Sequence, residues 1–355
     1  MRNITKAFRR YKEILIITLS IRTLLFIFST FVGTEQHTSL LNLWLRWDAP
    51  HYLDLARNWY QPTGEQSLWI VFYPLYPLFI KFTNILLGNF ELSSLLVSTL
   101  FSVFASILLF ELSLLDFNKS TSLKAVWFMN IFPTSYFLQA PYTESLFLTL
   151  SITSIYLIRK DNYLYAGATG LLASLTRING LLLIPSLFIE AKTILGKITA
   201  VFLTTLGFIF YLMINYFIFG DLFYFTKPLS YNWFKHLDWP WVGVYNLLNT
   251  FSFVSQANFY IYLSEIISIL IVTIFTIASF LYLRKSYSVY MLINLFLFTS
   301  TNFILSVPRY SLILFPIFIL LGLIKKRLFF VLISITSLTL LVYLTFLYVS
   351  GRWAF

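Results

Sequence analysis

The sequence contains no cysteine, which excludes disulfide bridges and thiolate metal sites. Charged side chains are also scarce: only 11% of the 355 residues are Asp, Glu, Lys or Arg, whereas about 25% is usual in soluble domains. Hydrophobic residues make up 59% of the chain, more than a soluble domain of this length can bury. These shortages exclude a soluble globular protein and indicate an integral membrane protein.

Basic residues outnumber acidic residues by 25 to 14, which gives a formal net charge of +11. A nucleic-acid-binding protein concentrates such charge in one patch, but here the Lys and Arg residues occur in small clusters between apolar runs. That distribution is typical of cytoplasmic loops in membrane proteins. We therefore expect membrane lipids, and no nucleic acid, among the partners.

Apolar runs long enough to form transmembrane helices recur along the chain, since about 20 helical residues cross the hydrocarbon core. The pattern predicts an all-α integral membrane protein, a polytopic bundle of about 11 spans in one domain over residues 1–355. The predicted spans are residues 14–32, 92–115, 123–138, 145–158, 163–175, 181–189, 198–219, 260–283, 287–307, 312–324 and 328–349.

Basic residues flank both ends of three apolar stretches that are each interrupted by a polar tip. The tips are residues 141–144, 176–180 and 307–310. Because basic flanks stay on the cytoplasmic side, each stretch must leave and return as a helical hairpin with its tip facing outward. This orientation puts the N-terminus inside the cell and the C-terminus outside.

The segment 73–87 is apolar enough to count as a further span, but counting it would invert every later loop. Its prolines, Pro74 and Pro77, favour a re-entrant or surface-lying helix instead. Two long outer segments then remain, residues 33–91 and 220–259. They lie on the same side as the polar tips, so we expect any polar chemistry on that face.

The first outer segment contains a polar island at residues 46–54, with two carboxylates, an imidazole and an arginine within nine positions. Asp48 precedes Ala49 and Pro50, a pattern typical of a helix N-cap. On that helix His51 and Tyr52 share the face of Asp48. A carboxylate at the membrane boundary also suits a general base that acts on a hydroxyl group. The pattern leaves both roles open, and one residue can fill both.

Arg177 and Arg309 lie at hairpin tips, where a guanidinium group either binds a phosphate or extends to lipid headgroups. We favour phosphate binding because both residues share the side of Asp48. Glu144 fits the first turn of a helix, where a carboxylate complements the helix dipole. His51 has no neighbouring ligand at metal spacing, so a substrate hydrogen bond or a structural role is favoured.

Aromatic residues crowd the second outer segment, where they usually form a belt at the membrane interface; a sugar-stacking surface is the alternative. They are Phe223, Tyr224, Phe225, Tyr231, Trp233, Phe234, Trp239 and Trp241. The sequence has no Gly-rich phosphate loop and no nucleophile elbow. A nucleotide-dependent cytoplasmic active site is therefore poorly supported.

Several motifs follow one another along most of the chain. They are Arg46-Trp47-Asp48 with His51-Tyr52, Tyr73-Pro74-Leu75-Tyr76-Pro77, Phe132-Pro133-Thr134-Ser135, Ala140-Pro141-Tyr142-Thr143-Glu144-Ser145, Leu175-Thr176-Arg177-Ile178-Asn179-Gly180 and Pro308-Arg309-Tyr310. In this order they resemble the GPI mannosyltransferase II (PIG-V type) family of the GT-C superfamily. The chain is short for a eukaryotic member, which indicates a prokaryotic one whose acceptor need not be a GPI anchor.

The resemblance implies a GT-C-like membrane enzyme that moves a sugar, expected to be mannose, from a polyprenyl-phosphate carrier. It places the catalytic aspartate of the first outer loop at Asp48 and makes Arg177 and Arg309 the candidates for binding the donor phosphate. The remaining candidate substrate-binding residues are Arg46, His51, Tyr52, Tyr142 and Glu144.

We expect inverting transfer on the extracytoplasmic face, with Asp48 removing the proton of the acceptor hydroxyl as the polyprenyl phosphate leaves from the opposite face of the sugar. The acceptor is a hydroxyl group of a glycan, a lipid or a protein. A monophosphate leaving group needs less countercharge than a nucleotide diphosphate, so no metal or other cofactor is expected. One alternative is a transporter or flippase of a lipid-linked sugar, which the lack of an inverted repeat disfavours. A non-catalytic assembly subunit is the third possibility.

Overall fold

The computed structural model describes the backbone of residues 2–355 and the side chains of residues 9–33, 37–255 and 258–355. Its α-helices in chain order are α1 (Arg2–Gln36), α2 (Leu40–Leu43), α3 (Ala49–Asn58), α4 (Leu75–Leu87), α5 (Phe90–Ser113), α6 (Lys119–Ile131), α7 (Glu144–Arg159), α8 (Tyr163–Ser174), α9 (Ile184–Glu190), α10 (Ile194–Phe219), α11 (Thr226–Tyr231), α12 (Pro240–Phe253), α13 (Gln256–Tyr282), α14 (Lys285–Thr299), α15 (Val307–Tyr310), α16 (Pro316–Gly322) and α17 (Arg327–Val349). Short 3-10 helices occur at Glu65–Val71, Ser135–Leu138, Ile178–Leu183 and Ser311–Ile313. Within the described residues, β pairing is limited to one isolated bridge between Leu237 and Thr301. The predicted all-α class is confirmed.

Short polar side chains begin several of the long helices. Asn89, Asn118 and Thr193 each accept a hydrogen bond from a backbone N–H in the first turn of α5, α6 and α10, at 2.7, 3.0 and 3.0 Å. Gly88 and Gly220 end α4 and α10 in the left-handed conformation, with φ of 64° and 72°. Local capping chemistry therefore sets these helix boundaries.

Each predicted span overlaps an α-helix, but the predicted count of 11 spans is not confirmed. Among the described residues, 5 helices are long and apolar enough to cross a bilayer alone, namely Arg9–Gly33, Phe90–Ser113, Ile194–Phe219, Asn258–Tyr282 and Arg327–Val349. A sixth crossing results if the bent pair Glu65–Val71 and Leu75–Leu87 forms one span. Helices α6 to α9, α14 and α16 occupy the other predicted spans and are at most 16 residues long.

Proline residues shorten some of the predicted spans from within, because proline lacks the N–H that continues a helix. Pro133 follows the end of α6, so the predicted span 123–138 is divided between α6 and the 3-10 helix Ser135–Leu138. Pro316 begins α16, which leaves seven α-helical residues in the predicted span 312–324. By hydropathy alone each stretch looks like one continuous span, because the residues around each proline are apolar.

The helices differ in how much apolar surface they expose. α7 is buried along almost its whole length, whereas α1, α10, α13 and α17 expose many large apolar side chains. Exposed apolar surface on helices long enough to cross a bilayer is what contact with lipid hydrocarbon requires. The chain is a multi-pass membrane protein in which α7 is shielded from lipid by the other helices.

The two ends of α7 mark two poles of the molecule. At one pole Arg159 pairs with Asp116 at 2.5 Å, and Arg284 pairs with Glu190 at 2.8 Å. Glu144 begins α7 at the other pole. The 16 residues of α7 separate the poles by about 24 Å, at 1.5 Å per residue. Basic flanks and polar tips are therefore segregated, as the hairpin prediction requires.

The apolar segment 73–87 forms part of a bent helix pair. The 3-10 helix Glu65–Val71 and α4 meet at an angle of 113°. The backbone N–H of Leu75 donates to the carbonyl of Leu175 at 3.1 Å, which ties the start of α4 to the end of α8. The start of α4 is buried, whereas Ile85 near its end is exposed. The bend is compatible both with the predicted re-entrant or surface-lying segment and with a broken span.

The most extensive helix–helix contact joins α8 to α10. A Cβ atom at Gly207 on α10 would lie 2.2 Å from the carbonyl oxygen of Leu171 and 2.9 Å from Ser174 Cβ. No side chain fits at these distances, so glycine at this position allows the two backbones to approach each other.

Replacing Gly207 with alanine should push α8 and α10 apart and lower the free energy of unfolding by about 1–3 kcal/mol, the usual cost of overpacking. Thermal unfolding of the purified protein in detergent measures the loss. Phe217→Leu is the control, because Phe217 is exposed on the same helix, and its effect should stay within about 0.5 kcal/mol. Equal effects of the two substitutions would contradict the close approach of the helices.

Candidate functional site

Asp48 precedes the first residue of α3, and Pro50 lies in the first turn of that helix. Asp48 occupies the predicted N-cap position, but in the described structure its side chain makes no capping hydrogen bond. Its Oδ2 atom instead accepts a hydrogen bond from Arg309 Nη1 at 2.9 Å. The carboxylate is thus directed toward the third hairpin tip.

Arg309 joins Asp48 to a second carboxylate. Its Nε atom donates to Glu144 Oε1 at 2.7 Å, while its Nη1 atom donates to Asp48. Arg177 Nη1 donates to the same Glu144 oxygen at 2.5 Å and to Thr143 Oγ1 at 3.0 Å. The first outer segment and all three hairpin tips therefore meet in one ion-pair network, formed by Asp48, Glu144, Arg177 and Arg309.

Burial decreases along this network from Glu144 to Asp48. The side chain of Glu144 is 0% exposed, that of Arg309 is 8% exposed, and that of Asp48 is 27% exposed. An ion removed from water is tolerated only with close partners of opposite charge, and Glu144 has two. Asp48 is therefore the most solvent-accessible of the four side chains in the network.

Aromatic rings enclose the Arg309 guanidinium. Its Cζ atom lies 4.4 Å from the ring centroid of Tyr142 and 5.0 Å from that of Phe137, within the range of cation–π attraction. The Tyr142 hydroxyl donates to the carbonyl of Arg46 at 2.8 Å and accepts from the backbone N–H of Asp48 at 3.1 Å. Tyr142 therefore positions both members of the Asp48–Arg309 pair.

The network fixes the protonation of its buried members. Burial alone raises the pKa of Glu144, but Arg309 and Arg177 outweigh it and hold that pKa below its ordinary value. Burial alone lowers the pKa of Arg309, but Glu144 and Asp48 reverse the effect and hold that pKa well above its ordinary value. Glu144 and Arg309 are consequently both charged at neutral pH and form an ion pair.

His51 and Tyr52 lie on α3 just after Asp48. The His51 ring stacks on Trp69 with 3.7 Å between ring centroids. The Tyr52 side chain is buried, and its ring centroid lies 6.1 Å from that of Tyr142. Both residues build the wall next to Asp48, and His51 is the one that remains partly exposed.

Arg46 extends toward the end of α17, where its Nη2 atom donates to the carbonyl of Val349 at 2.9 Å. The ring of the next residue, Trp47, lies 5.1 Å from the ring of Trp353. Residues at the end of α17 and just after it thus close one side of the site. Arg46 contributes to that closure through its bond to Val349.

The sequence did not single out Glu265, which is buried on α13 and supports the third hairpin tip. Its two oxygens accept hydrogen bonds from the backbone N–H groups of Ser306 and Val307, at 2.6 and 2.8 Å. Ser306 has a φ of 76°, a left-handed conformation that is costly for residues other than glycine. Because Arg309 follows in the same turn, Glu265 sets its position. A lone carboxylate in a long apolar run was the available signal.

Lys235, in the second outer segment, is a second residue that sequence reasoning missed. Its Nζ atom donates to the carbonyl of Leu305 at 3.1 Å and lies 5.3 Å from the ring centroid of Tyr310. The same ring lies 5.5 Å from Arg177 Cζ. The aromatic composition around Lys235 fits a membrane interface, so nothing in the sequence distinguishes this lysine from an ordinary interfacial one.

The site offers guanidinium, carboxylate and hydroxyl groups. Among the described residues, no cluster of three or more His, Asp or Glu side chains is arranged to hold a metal ion. Guanidinium groups are donors to phosphate oxygens, and a carboxylate is an acceptor for a hydroxyl proton. The arrangement suits a substrate pair in which one partner carries a phosphate and the other a hydroxyl group.

Comparisons with known proteins cover most of the chain. A family model described as Mannosyltransferase (PIG-V) matches residues 17–236. No curated protein sequence gives a match. Two solved structures are similar over 97% of this chain and 56% of their own, each with 11% identity and a TM-score of 0.46. One is the archaeal oligosaccharyltransferase AglB from Archaeoglobus fulgidus in complex with an inhibitory peptide and a dolichol-phosphate. The other is the Archaeoglobus fulgidus oligosaccharyltransferase tethered with an acceptor peptide containing the NVT sequon.

Removing the Glu144 carboxylate should leave two guanidinium groups in a buried site without their shared partner. We expect Glu144→Ala to lower the free energy of unfolding by about 3–5 kcal/mol, the usual effect of breaking a buried ion pair. Asp48→Ala is the comparison, because Asp48 bonds one guanidinium group and is partly exposed. Its loss of stability should be smaller. Thermal unfolding measures both variants, and the reverse order would contradict the network.

His51 should make stability depend on pH. Burial lowers the pKa of His51 below 6.5, although Asp48 and Asp54 act in the opposite direction. Below about pH 6.5 His51 is therefore protonated more readily in the unfolded chain than in the folded protein. The free energy of unfolding should fall as the pH falls. His51→Phe retains a ring against Trp69 and should weaken this dependence. Unfolding followed from about pH 5 to about pH 7.5 tests it, and identical slopes in both proteins would refute the assignment.

Proposed function

Because this chain belongs to the mannosyltransferase (PIG-V) family, we propose that it transfers a mannosyl residue from a polyprenyl-phosphate carrier to a hydroxyl group. Family membership supports a membrane glycosyltransferase. The observation that carries the finer proposal is the position of Asp48. The Asp48 side chain is 27% exposed, whereas the side chains of its partner Arg309 and of Glu144 are 8% and 0% exposed.

Asp48 acts as the general base in this proposal. The hydrogen bond from Arg309 Nη1 orients the carboxylate through Oδ2, while the exposed part of the side chain stays reachable. The acceptor hydroxyl gives its proton to Asp48 as its oxygen attacks the anomeric carbon. Attack opposite the leaving phosphate inverts that carbon.

The bond between the anomeric carbon and the phosphate oxygen breaks, and its electron pair stays on the phosphate. Arg177 and Arg309 orient the phosphate as hydrogen-bond donors. Their charges are already balanced by Glu144 and Asp48, so they direct the phosphate more than they neutralise it. A monophosphate leaving group needs less countercharge than a nucleotide diphosphate, and the proposal therefore requires no metal ion.

The remaining candidate residues shape the site around these groups. Glu144 holds the two arginines, and Tyr142 holds the backbone of Asp48. His51 is the proposed contact to the acceptor, because it is partly exposed and follows Asp48 on α3. Tyr52 and Arg46 support the walls. The acceptor is a hydroxyl group of a glycan, a lipid or a protein.

We infer that the site faces away from the cytoplasm and that the N-terminus is cytoplasmic. The polar tips lie at one end of α7, and the basic Arg159 and Arg284 lie at the other. Basic residues favour the cytoplasmic end of membrane helices. The carrier lipid enters laterally beside α4, whose apolar end is exposed near Ile85.

Replacing Asp48 with asparagine should slow transfer roughly hundred- to ten-thousand-fold, the usual contribution of a general base. The side chain keeps its size and can still accept from Arg309, so KM for the donor should change little. The assay is transfer of labelled mannose from polyprenyl-phosphate mannose by the purified protein. Glu65→Gln, an exposed carboxylate in the same outer segment, should retain the unsubstituted rate. A fully active Asp48→Asn protein would exclude Asp48 as the base.

A further inference from the structure

The arginines of the ion-pair network leave no surplus positive charge in the site. Arg177 and Arg309 face Glu144 and Asp48, and the four charges cancel. A sugar phosphodiester carries one negative charge, whereas the phosphate monoester left after transfer carries about two. If the proposed function is correct, protonation of Asp48 offsets the charge that the phosphate gains during transfer. The single charge that the phosphodiester brings into the neutral network still lacks a counterion, so a further cation is expected near the phosphate.

Lys235 is held close to the network by the backbone on both sides of it. Asn302 Nδ2 donates to the carbonyl of Phe234 at 3.1 Å, and the backbone N–H of His236 donates to Asn302 Oδ1 at 2.8 Å. The backbone N–H of Asn302 returns a hydrogen bond to the carbonyl of His236 at 3.2 Å. These bonds fix both neighbours of Lys235 against the loop that leads to the third hairpin tip.

The side chain of Lys235 reaches from there to Tyr310. Its Nζ atom donates to the carbonyl of Leu305 at 3.1 Å and lies 3.5 Å from Tyr310 Oη. In the described part of the chain, no carboxylate lies within ion-pair distance of this nitrogen; Glu265, which is near enough to interact with it electrostatically, binds two backbone N–H groups. Lys235 thus brings a positive charge that no neighbouring side chain neutralises by direct contact.

Tyr310 connects Lys235 to the arginines. Its ring centroid lies 5.5 Å from Arg177 Cζ and 5.8 Å from Arg309 Cζ. Burial alone raises the pKa of Tyr310, but Lys235, Arg309 and Arg177 outweigh it and lower that pKa. A phenol with a lowered pKa is a stronger hydrogen-bond donor. Three cations lie around the Tyr310 ring, which itself carries the hydroxyl group. This combination of positive charges and a hydrogen-bond donor suits an anion.

We propose that Lys235 and Tyr310 bind the phosphate of the polyprenyl carrier, and bind it most tightly as the monoester left after transfer. Lys235 supplies the surplus positive charge, and Tyr310 Oη donates a hydrogen bond. When the bond from the anomeric carbon to the phosphate oxygen breaks, its electron pair and the additional negative charge stay on the phosphate. The proton of the acceptor passes to Asp48, so charge and atoms balance.

The test is the binding of a sugar-free polyprenyl phosphate to the purified full chain, measured by calorimetry in detergent. Lys235→Gln should weaken the affinity roughly ten- to hundred-fold, the range expected for a lost charge-assisted hydrogen bond. Tyr310→Phe removes the hydroxyl group and keeps the ring, and it should weaken binding by a smaller factor. Lys235→Arg should retain most of the affinity.

Lys227→Gln is the matched control, because Lys227 lies in the same outer segment but pairs with Asp221 at 2.9 Å. The affinity of the Lys227→Gln protein for polyprenyl phosphate should remain within about two-fold of that of the unsubstituted protein. Unchanged affinity in the Lys235→Gln protein would overturn the proposal. If Lys235→Gln unfolds, Tyr310→Phe and Lys235→Arg still decide, since a phosphate site requires the first to bind more weakly than the second.

Two further probes separate the carrier from other sources of phosphate. Inorganic phosphate should bind weakly, and binding to phosphatidylglycerol vesicles should not depend on Lys235. An equal loss for these vesicles would assign the lysine to general headgroup contact and refute the proposal. Carrier binding and sugar transfer are measured separately, so the two proposals can fail separately. If the carrier binds in a Lys235-dependent way but no sugar is transferred, the proposed function alone is refuted. If transfer depends on Asp48 but Lys235→Gln leaves the carrier affinity unchanged, this phosphate site alone is refuted.

Discussion

The rest of the site depends on one guanidinium group that bonds two carboxylates at once. Arg309 reaches Glu144 through Nε and Asp48 through Nη1, so it connects the start of α7 to the segment before α3. A buried charge needs such partners, because the cost of removing it from water is otherwise several kcal/mol. Glu144 Oε1 accepts hydrogen bonds from both arginines, and the bond from Arg309 gives the Asp48 carboxylate its direction. The geometry of each charge in the network is set by the others.

The interrupted helices and the continuous helices have separate tasks. Continuous helices such as α10 and α13 expose apolar surface suited to lipid. The interrupted ones, broken near Pro133, Pro308 and Pro316, place irregular backbone inside the protein. Such backbone is tolerated at membrane depth only where protein groups satisfy its hydrogen bonds, as Glu265 does for the turn that carries Arg309. The polar tips are therefore held among packed helices.

The sequence predicted where the polar groups gather better than it predicted their partners. Basic flanks around three apolar stretches were enough to direct all three tips to one side, and the structure brings Asp48, Arg177 and Arg309 together there. Glu144 was assigned to the dipole of a helix. It does begin α7, but no local pattern shows that arginines from two other tips reach it. Lys235 was missed for a related reason, because its position depends on long-range bonds through Asn302. The number of spans was also beyond the sequence, since hydropathy does not measure how far a proline shortens a helix.

The network is assembled from positions widely separated along the chain, and this has a consequence for biogenesis. A membrane protein is synthesised and inserted from its N-terminal end, so Glu144 and Arg177 enter the bilayer before α15 exists. Their mutual contact at 2.5 Å lets an early hairpin pair carry a compensated charge while the translocon is still delivering later segments. Asp48 is the first member of the network to be synthesised, and its partner Arg309 follows 261 residues later. The ion-pair network is thus complete only after the segment that carries Arg309 has been synthesised.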